Sequence, residues 1–342
     1  MKRSTIKDVA NRLGVNPSTV SRALKDHPDI GQALREEIKR VALEMKYTPN
    51  QMAVQLRQRQ RQLVGLVIPE ITMFFYPSVI RGIEEVLEPR GYQLVMLPSN
   101  ESPAREAQNL KFCDENQLAG VLISFTRHTL PADGVSLLSD LDMPVVVFDK
   151  SLPDLPFDSV MLEDEEAACR AARFLIDSGC KRIGGLFGSP HLLITQQRLR
   201  GFRRALSEAG LLFDESLARF AGNAAEADDC AREMMTLEIV PDAVFMMSDE
   251  IVMGAYPAIL RSGIDIPGEC SVICISDGFI PKCYYPEISY LHHDGAGIGR
   301  EAALRLLDLI ESDSSVVIPR QQMVHAELVE LESTKRIIQS ED

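Results

Sequence analysis

The seven cysteines, at 113, 169, 180, 230, 270, 274 and 283, are odd in number and include no C-x-x-C pair. That excludes a disulfide framework or a zinc ribbon as the organising device, and the thiols are expected to be reduced and buried. No apolar run approaches about 18 residues, and Met1-Lys2-Arg3-Ser4-Thr5 has no apolar stretch behind its charges. Neither a membrane span nor a secretory leader is expected, and the chain is expected in the cytoplasm. The six histidines (27, 128, 191, 292, 293 and 325) show no H-x-x-x-H or H-E-x-x-H spacing. There is no G-x-S-x-G, and Gly184-Gly185-Leu186-Phe187-Gly188 does not fit G-x-G-x-x-G. No catalytic residues, metal ligands or cofactor are therefore expected. At His292-His293 strand neighbours would point to opposite faces, which argues against a zinc pair and leaves a ligand-facing His293 open.

Positive charge is also scarce overall, with a formal net charge of −14. By itself that argues against a polyanionic partner, but the sign is unevenly distributed. Residues 1–62 hold 13 Lys and Arg against 6 acids, a net of +7, and the rest hold 23 against 44, a net of −21. A basic head on an acidic body orients a molecule on a polyanion, drawing in the head while the body is repelled.

The head is organised around Asn16-Pro17-Ser18-Thr19-Val20-Ser21-Arg22. Asn16 is suited to cap a helix, Pro17 to its first position, and Val20, Ala23 and Leu24 recur at helical spacing. Upstream, Thr5-Ile6-Lys7-Asp8 resembles a capping box, Ile6, Val9, Ala10 and Leu13 share one helical face, and Gly14 supplies a left-handed stop. Two short helices around a tight turn read as a helix-turn-helix whose second helix turns Pro17, Ser18, Ser21, Arg22 and Lys25 outward; a plain αα-hairpin with a polar face fits the same residues. A third amphipathic helix over Ala33, Leu34, Ile38, Val41, Ala42 and Met45 closes the head, and Tyr47-Thr48-Pro49-Asn50 stops it. Residues 51–62, mostly Gln and Arg, read either as a solvated linker or as a weak helix that folds on a partner.

From Leu63 the pattern changes. Apolar runs at Leu63–Ile68, Gln93–Leu97, Gly120–Ile123, Val145–Phe148, Ile183–Phe187, Ala243–Met247 and Ser271–Ile275 alternate with helical stretches near 76–90, 103–117, 163–178, 195–210, 224–237, 250–262 and 295–311. Continuous apolar strands alternating with amphipathic helices imply parallel sheets covered on both faces, here two doubly wound lobes with a crevice between them. Ligands of such sheets bind beyond the carboxyl ends of the strands. Those ends run into Phe74-Phe75-Tyr76, Ser124-Phe125-Thr126, Asp149-Lys150, Gly188-Ser189, Ser248-Asp249 and Ser276-Asp277, with Arg198 on a nearby helix. Rings, hydroxyls, carboxylates and a guanidinium suit a small hydroxylated ligand. Asp149, Ser248 and Asp249 also fit as helix caps, and Phe74 and Phe75 as core or dimer surface.

The order of parts, Thr5-Ile6-Lys7-Asp8-Val9-Ala10, then Val15-Asn16-Pro17-Ser18-Thr19-Val20-Ser21-Arg22-Ala23-Leu24, then Tyr47-Thr48-Pro49-Asn50 and a body like a periplasmic binding protein, resembles the lac repressor/gal repressor (LacI/GalR) family of bacterial transcription regulators. The resemblance implies a helix-turn-helix head (1–49), a hinge helix and linker (50–62), and an effector-binding, dimerising α/β body of two doubly wound lobes (63–342). It implies that Pro17, Ser18 and Arg22 read base edges of double-stranded operator DNA, that Thr5, Thr19, Ser21, Tyr47 and Asn50 hold phosphates, and that Leu56 is a wedge in the minor groove. In the body it implies effector contacts from Asp149, Arg198 and Ser248-Asp249, the last in place of the family's Asn-Asp. Cys274-Ile275-Ser276-Asp277 departs from the family's Gly-aromatic-Asp-Asp, which leaves Asp277 or His293 to supply a hydroxyl acceptor where Ser276 stands. The implied protein is a homodimeric repressor controlled by a sugar or sugar derivative, without a membrane partner. A solute-binding protein for sugar uptake shares the body but predicts a leader and no basic head. A sugar-converting enzyme would need a base or nucleophile array in the cleft.

Overall fold

The structure is a computed structural model and describes residues 5–24, 27–45, 47, 62–71, 75–312 and 319–335. Contacts divide the chain into two compact units, Met1–Arg61 and Gln62–Asp342.

In the first unit α1 (Ile6–Leu13), α2 (Pro17–Leu24) and α3 (Gln32–Glu44) form around a small core. Thr5 starts α1 with a capping box: its hydroxyl accepts from the Asp8 amide at 3.3 Å while its own amide donates to the Asp8 carboxylate at 2.8 Å. Gly14 ends α1 at φ 65°, where a side chain would be strained. The Asn16 carbonyl accepts from the Thr19 and Val20 amides at 2.9 and 3.2 Å and starts α2. Val9 and Ala10 of α1, Val20 and Ala23 of α2, and Ile38 and Val41 of α3 pack together, so α3 covers the apolar side of the first two helices as its spacing predicts. Lys25, Asn50 and Leu56, and the expected hinge over 51–61, lie outside the described residues.

The body has two sheets. The first joins β1 (Leu63–Ile68), β2 (Gln93–Pro98), β3 (Gly120–Ile123), β4 (Val145–Phe148), β5 (Asp158–Leu162) and β11 (Gln321–Val324) in the order β11-β5-β4-β3-β1-β2, all parallel. The second joins β6 (Ile183–Phe187), β7 (Ala218–Phe220), β8 (Ala243–Met246), β9 (Ser271–Ser276), β10 (Ser289–His292) and β12 (Glu327–Val329) in the order β12-β10-β9-β8-β6-β7, with β12 antiparallel. Helices α4 (Phe75–Leu87), α5 (Pro103–Glu115), α6 (Pro131–Ser139) and α11 (Gly295–Glu311) cover the first sheet; α7 (Asp164–Asp177), α8 (Leu193–Glu208), α9 (Ala224–Met235) and α10 (Asp249–Arg261) cover the second.

Strand side chains alternate between the two covered faces. Val64, Leu66 and Ile68 pack with α4 and α11, whereas Val67 joins Val121, Ile123 and Val147 on the opposite face. That is why these strands read as continuous apolar runs. Strands β5, β7, β11 and β12 and helix α6 have no counterpart among the sequence expectations. The first is broken by Asp158 and Ser159, β7 and β12 span three residues each, and β11 is largely exposed, so none carries a strong apolar signal.

The chain passes between lobes at Glu163, at His293-Asp294 and at His325-Ala326. Each sheet has a point where strand order reverses, between β1 and β3 and between β6 and β8. A ligand crevice is expected there. Within the second lobe, α7 and α8 approach so closely that a Cβ on Gly201 would stand 1.9 Å from the Glu165 carbonyl oxygen. The obstacle is backbone and cannot rotate away. Gly201→Ala is therefore expected to lower the stability of the body by about 1–3 kcal/mol, read as a fall of a few degrees in Tm; an unchanged Tm would show that the helix pair has slack.

Candidate DNA-reading head and effector cleft

On α2, Ser18 and Arg22 are exposed and Pro17, Thr19 and Ser21 half-buried, while Val20 and Ala23 face the core. Ser18, Ser21 and Arg22 are three and four residues apart and share one face. Thr5 is occupied by its capping role: its hydroxyl also donates to Asp8 at 2.7 Å. Tyr47 is half-buried, its amide donating to the Ala42 carbonyl at 2.9 Å.

In the body a cavity of about 90 Å³ lies between the lobes at the two reversal points. Phe75, Tyr76 and Asp149 come from the first lobe, Arg198, Ser248 and Asp249 from the second, and His293 from a crossover. Asp149 follows β4 in a left-handed conformation, φ 57°, which Asp tolerates at some cost, and this turns its carboxylate inward rather than onto a helix end. Its Oδ2 accepts from the Tyr76 hydroxyl at 3.3 Å and the Ser124 hydroxyl at 3.4 Å. Burial raises the Asp149 carboxyl above its usual range against the pull of Lys150 and Arg198. Burial and the neighbouring Asp149 likewise hold the Tyr76 phenol well above its ordinary value, so it stays a donor.

Arg198 is 1% exposed. Its Nε donates to Asp164 Oδ1 at 2.7 Å, and its Nη1 donates to the Met247 carbonyl. Burial pushes the Asp164 carboxyl up to about 6 although Arg198 draws it down. Across the cavity, Ser248 caps α10, its hydroxyl accepting from the Ile251 amide at 3.5 Å. Asp249 Oδ2 accepts from the Asp277 amide at 3.3 Å, and its Oδ1 is buried without a partner. Burial carries the Asp249 carboxyl to about 6, with the Ser276 hydroxyl and the Asp277 amide opposing. His293 stacks on Phe75 with centroids 4.3 Å apart and interplanar angle 28°. Its Nε2 is unpartnered, 4.0 Å from Asp149 Oδ1, and burial together with Arg198 and His292 holds the ring well below the usual histidine pKa, hence neutral.

Several expected effector residues stand elsewhere. Ser124 is fully buried behind Asp149, 3.0 Å from the Tyr76 hydroxyl. Thr126 is fully buried too, its amide bonded to Glu106 at 2.8 Å and its hydroxyl to Thr129 at 2.8 Å. Asp277 does not replace the missing acceptor: its Oδ2 accepts from Ser78 of the first lobe at 2.5 Å and its Oδ1 from the Gly295 amide at 3.0 Å, so it stitches the lobes together. Ser276, by contrast, does line the cavity; its hydroxyl accepts from the Gly278 amide at 2.9 Å and keeps its own hydrogen to donate. Phe74 lies outside the described residues. Missed in the sequence was Arg127, one residue beyond Ser124-Phe125-Thr126, whose Nη2 reaches Glu101 at 3.4 Å and, across the cleft, Glu250 at 3.8 Å. Reading each strand end one residue further would have found both Arg127 and Glu250.

A model described as bacterial regulatory proteins, lacI family, matches residues 5–50, and a periplasmic binding protein-like domain matches residues 172–334. The chain belongs to the lacI family of bacterial regulatory proteins. This lacI-family chain is 29% identical over 314 residues to the ribose operon repressor of Haemophilus influenzae, covering 90% of this chain and 92% of that one. It is 28% identical over 310 residues to the transcriptional repressor CytR of Escherichia coli, covering 90% of each. Among solved structures it is similar to the transcriptional regulator CelR–cellobiose complex (26% identity, TM-score 0.73, 97% of this chain and 100% of that chain). It shares the fold of the lac repressor dimer bound to operator and the anti-inducer ONPF (22% identity, TM-score 0.85, 98% and 100%). It is thus a DNA-binding transcription regulator with an effector-binding body, and its relatives are repressors rather than enzymes. No helix of the described residues is long and apolar enough to cross a membrane.

A carboxyl with a folded pKa above its unfolded value near 4 adds stability that is complete below about pH 4 and is lost as pH rises through the folded value. For Asp249 that loss runs from about pH 4 to about pH 6 and is nearly complete above the folded value. Asp249→Asn is therefore expected to melt higher than the parent at about pH 8, by an amount on the order of 3 kcal/mol at most, with the gap closing toward about pH 4. A gap independent of pH would show that Asp249 does not titrate in this window.

Proposed function

We propose that this regulator acts in the cytoplasm as a homodimeric repressor that binds operator DNA and is switched by a small hydroxylated effector, a sugar or sugar derivative, held between the lobes. The observation that carries the reading is α2, with Ser18, Ser21 and Arg22 on a free face and Val20 and Ala23 anchored beneath. Pro17, Ser18 and Arg22 read base edges, the Arg22 fork matching guanine O6 and N7; Thr19, Ser21, Tyr47 and Asn50 hold phosphates, with Thr5 holding the helix start from which they are presented. Residues 1–49 form the reading head, 50–62 the hinge with Leu56 as the minor-groove wedge, and 63–342 the effector and dimer body. The names of the relatives, repressors of a ribose operon and CytR, and the cellobiose complex of CelR support repression and a sugar-like effector. In the cleft, Asp149, Arg198, Asp249 and His293 supply polar contacts and Phe75 and Tyr76 an apolar face, the combination a sugar ring requires. Ser248 contributes at the cavity edge while capping its helix.

Selection of bound genomic fragments would yield the operator. On that site Arg22→Ala is expected to cost about 1–3 kcal/mol, and parental affinity to fall steeply with salt. Equal losses on operator and random DNA would show that Arg22 holds phosphate only.

Compounds that raise the Tm of the parent define the effector. Asp149→Asn and His293→Ala are each expected to weaken a hit by about tenfold, the scale of one lost hydrogen bond to a charged or buried partner, while the effector-free variants still bind operator. Hits that bind both variants as tightly as the parent would place the effector outside this cleft.

A further inference from the structure

The second lobe has a groove at the amino ends of its strands, opposite to the cleft. It measures about 440 Å³, and its wall includes Met235 at the end of α9, Val240, Pro241 and Asp242 before β8, Ile264 after α10 and Glu269 before β9. Pro241 is buried and Met235, Val240 and Ile264 are half-buried, so the floor is apolar and still touches water. Such a surface favours whatever covers it. Of the two acids, Asp242 is engaged, its carboxylate accepting from the Lys181 and Arg182 amides at 2.8 and 2.9 Å. Glu269 is exposed; its Oε2 accepts from the Asp265 amide at 2.9 Å, and a carboxylate has room for a cation besides.

The chain itself leads to this groove. The Ser333 carbonyl accepts from the Val272 amide at 2.8 Å, and two residues on the Lys335 amide donates to the Ser271 hydroxyl at 3.2 Å. The segment thus runs antiparallel to β9, toward Glu269. The Ser271 amide in turn donates to the carbonyl of Asp242, on the groove wall, at 3.0 Å. The next three residues, Arg336-Ile337-Ile338, can span up to about 10 Å, enough to enter the groove. One cation followed by two apolar side chains matches one exposed carboxylate beside an apolar floor.

We propose that Arg336-Ile337-Ile338, which lie outside the described residues, fill this groove of their own chain, with the isoleucines on Met235, Val240, Pro241 and Ile264 and Arg336 on Glu269. The contact fastens the ends of α9 and α10 to the starts of β8 and β9. It depends on neither effector nor DNA.

The test is methyl NMR of the full chain labelled at methionine and isoleucine, with Met235→Leu, Ile337→Val and Ile338→Val, which nearly conserve volume, to assign the signals. Nuclear Overhauser cross peaks between Met235 and Ile337 or Ile338 are expected. A sample in which chains labelled only at methionine have exchanged with chains labelled only at isoleucine should show none. Ending the chain after Lys335 should move the Met235 signal and lower the Tm by a few degrees. Glu269→Lys is expected to lower the Tm by about 1–3 °C, and Arg336→Glu on that background to restore it. Absence of the cross peaks from the fully labelled chain, or a Met235 signal unmoved by the truncation, overturns the proposal. So do peaks in the mixed sample, which would put a second copy's tail in the groove, and a Tm that the second charge reversal does not restore.

Discussion

The buried guanidinium of Arg198 is the interaction on which the cleft depends. A charge taken out of water is costly unless it is paired and its remaining donors are satisfied. Arg198 meets this by bonding Asp164 and the Met247 carbonyl, and so joins α8 to the first residue of α7 and to the end of β8. Asp164 lies directly after the first passage between lobes, where the N-terminus of α7 also favours a carboxylate. One side chain therefore places the crossover, two helix ends and the strand end that leads to Asp249. Removing one partner would leave the other buried and uncompensated, so this part of the site is stiff.

Other contacts join lobe to lobe. Asp277 holds Ser78 and the Gly295 amide near the crossovers, and at the mouth Arg127 approaches Glu250 at 3.8 Å while its backbone carbonyl pairs with His191. An effector touching Asp149 on one side and Asp249 on the other adds to this set. It shifts the lobes only by the difference between its contacts in one arrangement and the other, which is the physical content of allosteric control in such a protein.

The head was more legible than the cleft. Its capping box, its left-handed Gly14 and its Pro17 start depend on residues three or four apart, and each is present as read. The long strands of the body were legible because burial on two faces leaves continuous apolar runs, whereas β7 and β12, three residues each, have no run to recognise. In the cleft, the strand ends pointed to Phe75, Asp149, Asp249 and His293, which line one cavity together with Arg198 of α8. They misled at Thr126, which faces away toward Glu106, a carboxylate that no local pattern marks.

By itself the sequence determined where helices start and stop, which runs become covered parallel strands, and which face of α2 is free, because these follow from short spacing and periodicity. The tertiary structure alone decided which polar groups remain available to a ligand. Ser124 is consumed by Asp149, 25 residues away, and Asp277 by Ser78, 199 residues away, while Asp249 Oδ1 and His293 Nε2 are left bare. A hydrogen-bonding group is free or spent according to the partner that folding brings within about 3 Å, and separation along the chain says nothing of that distance.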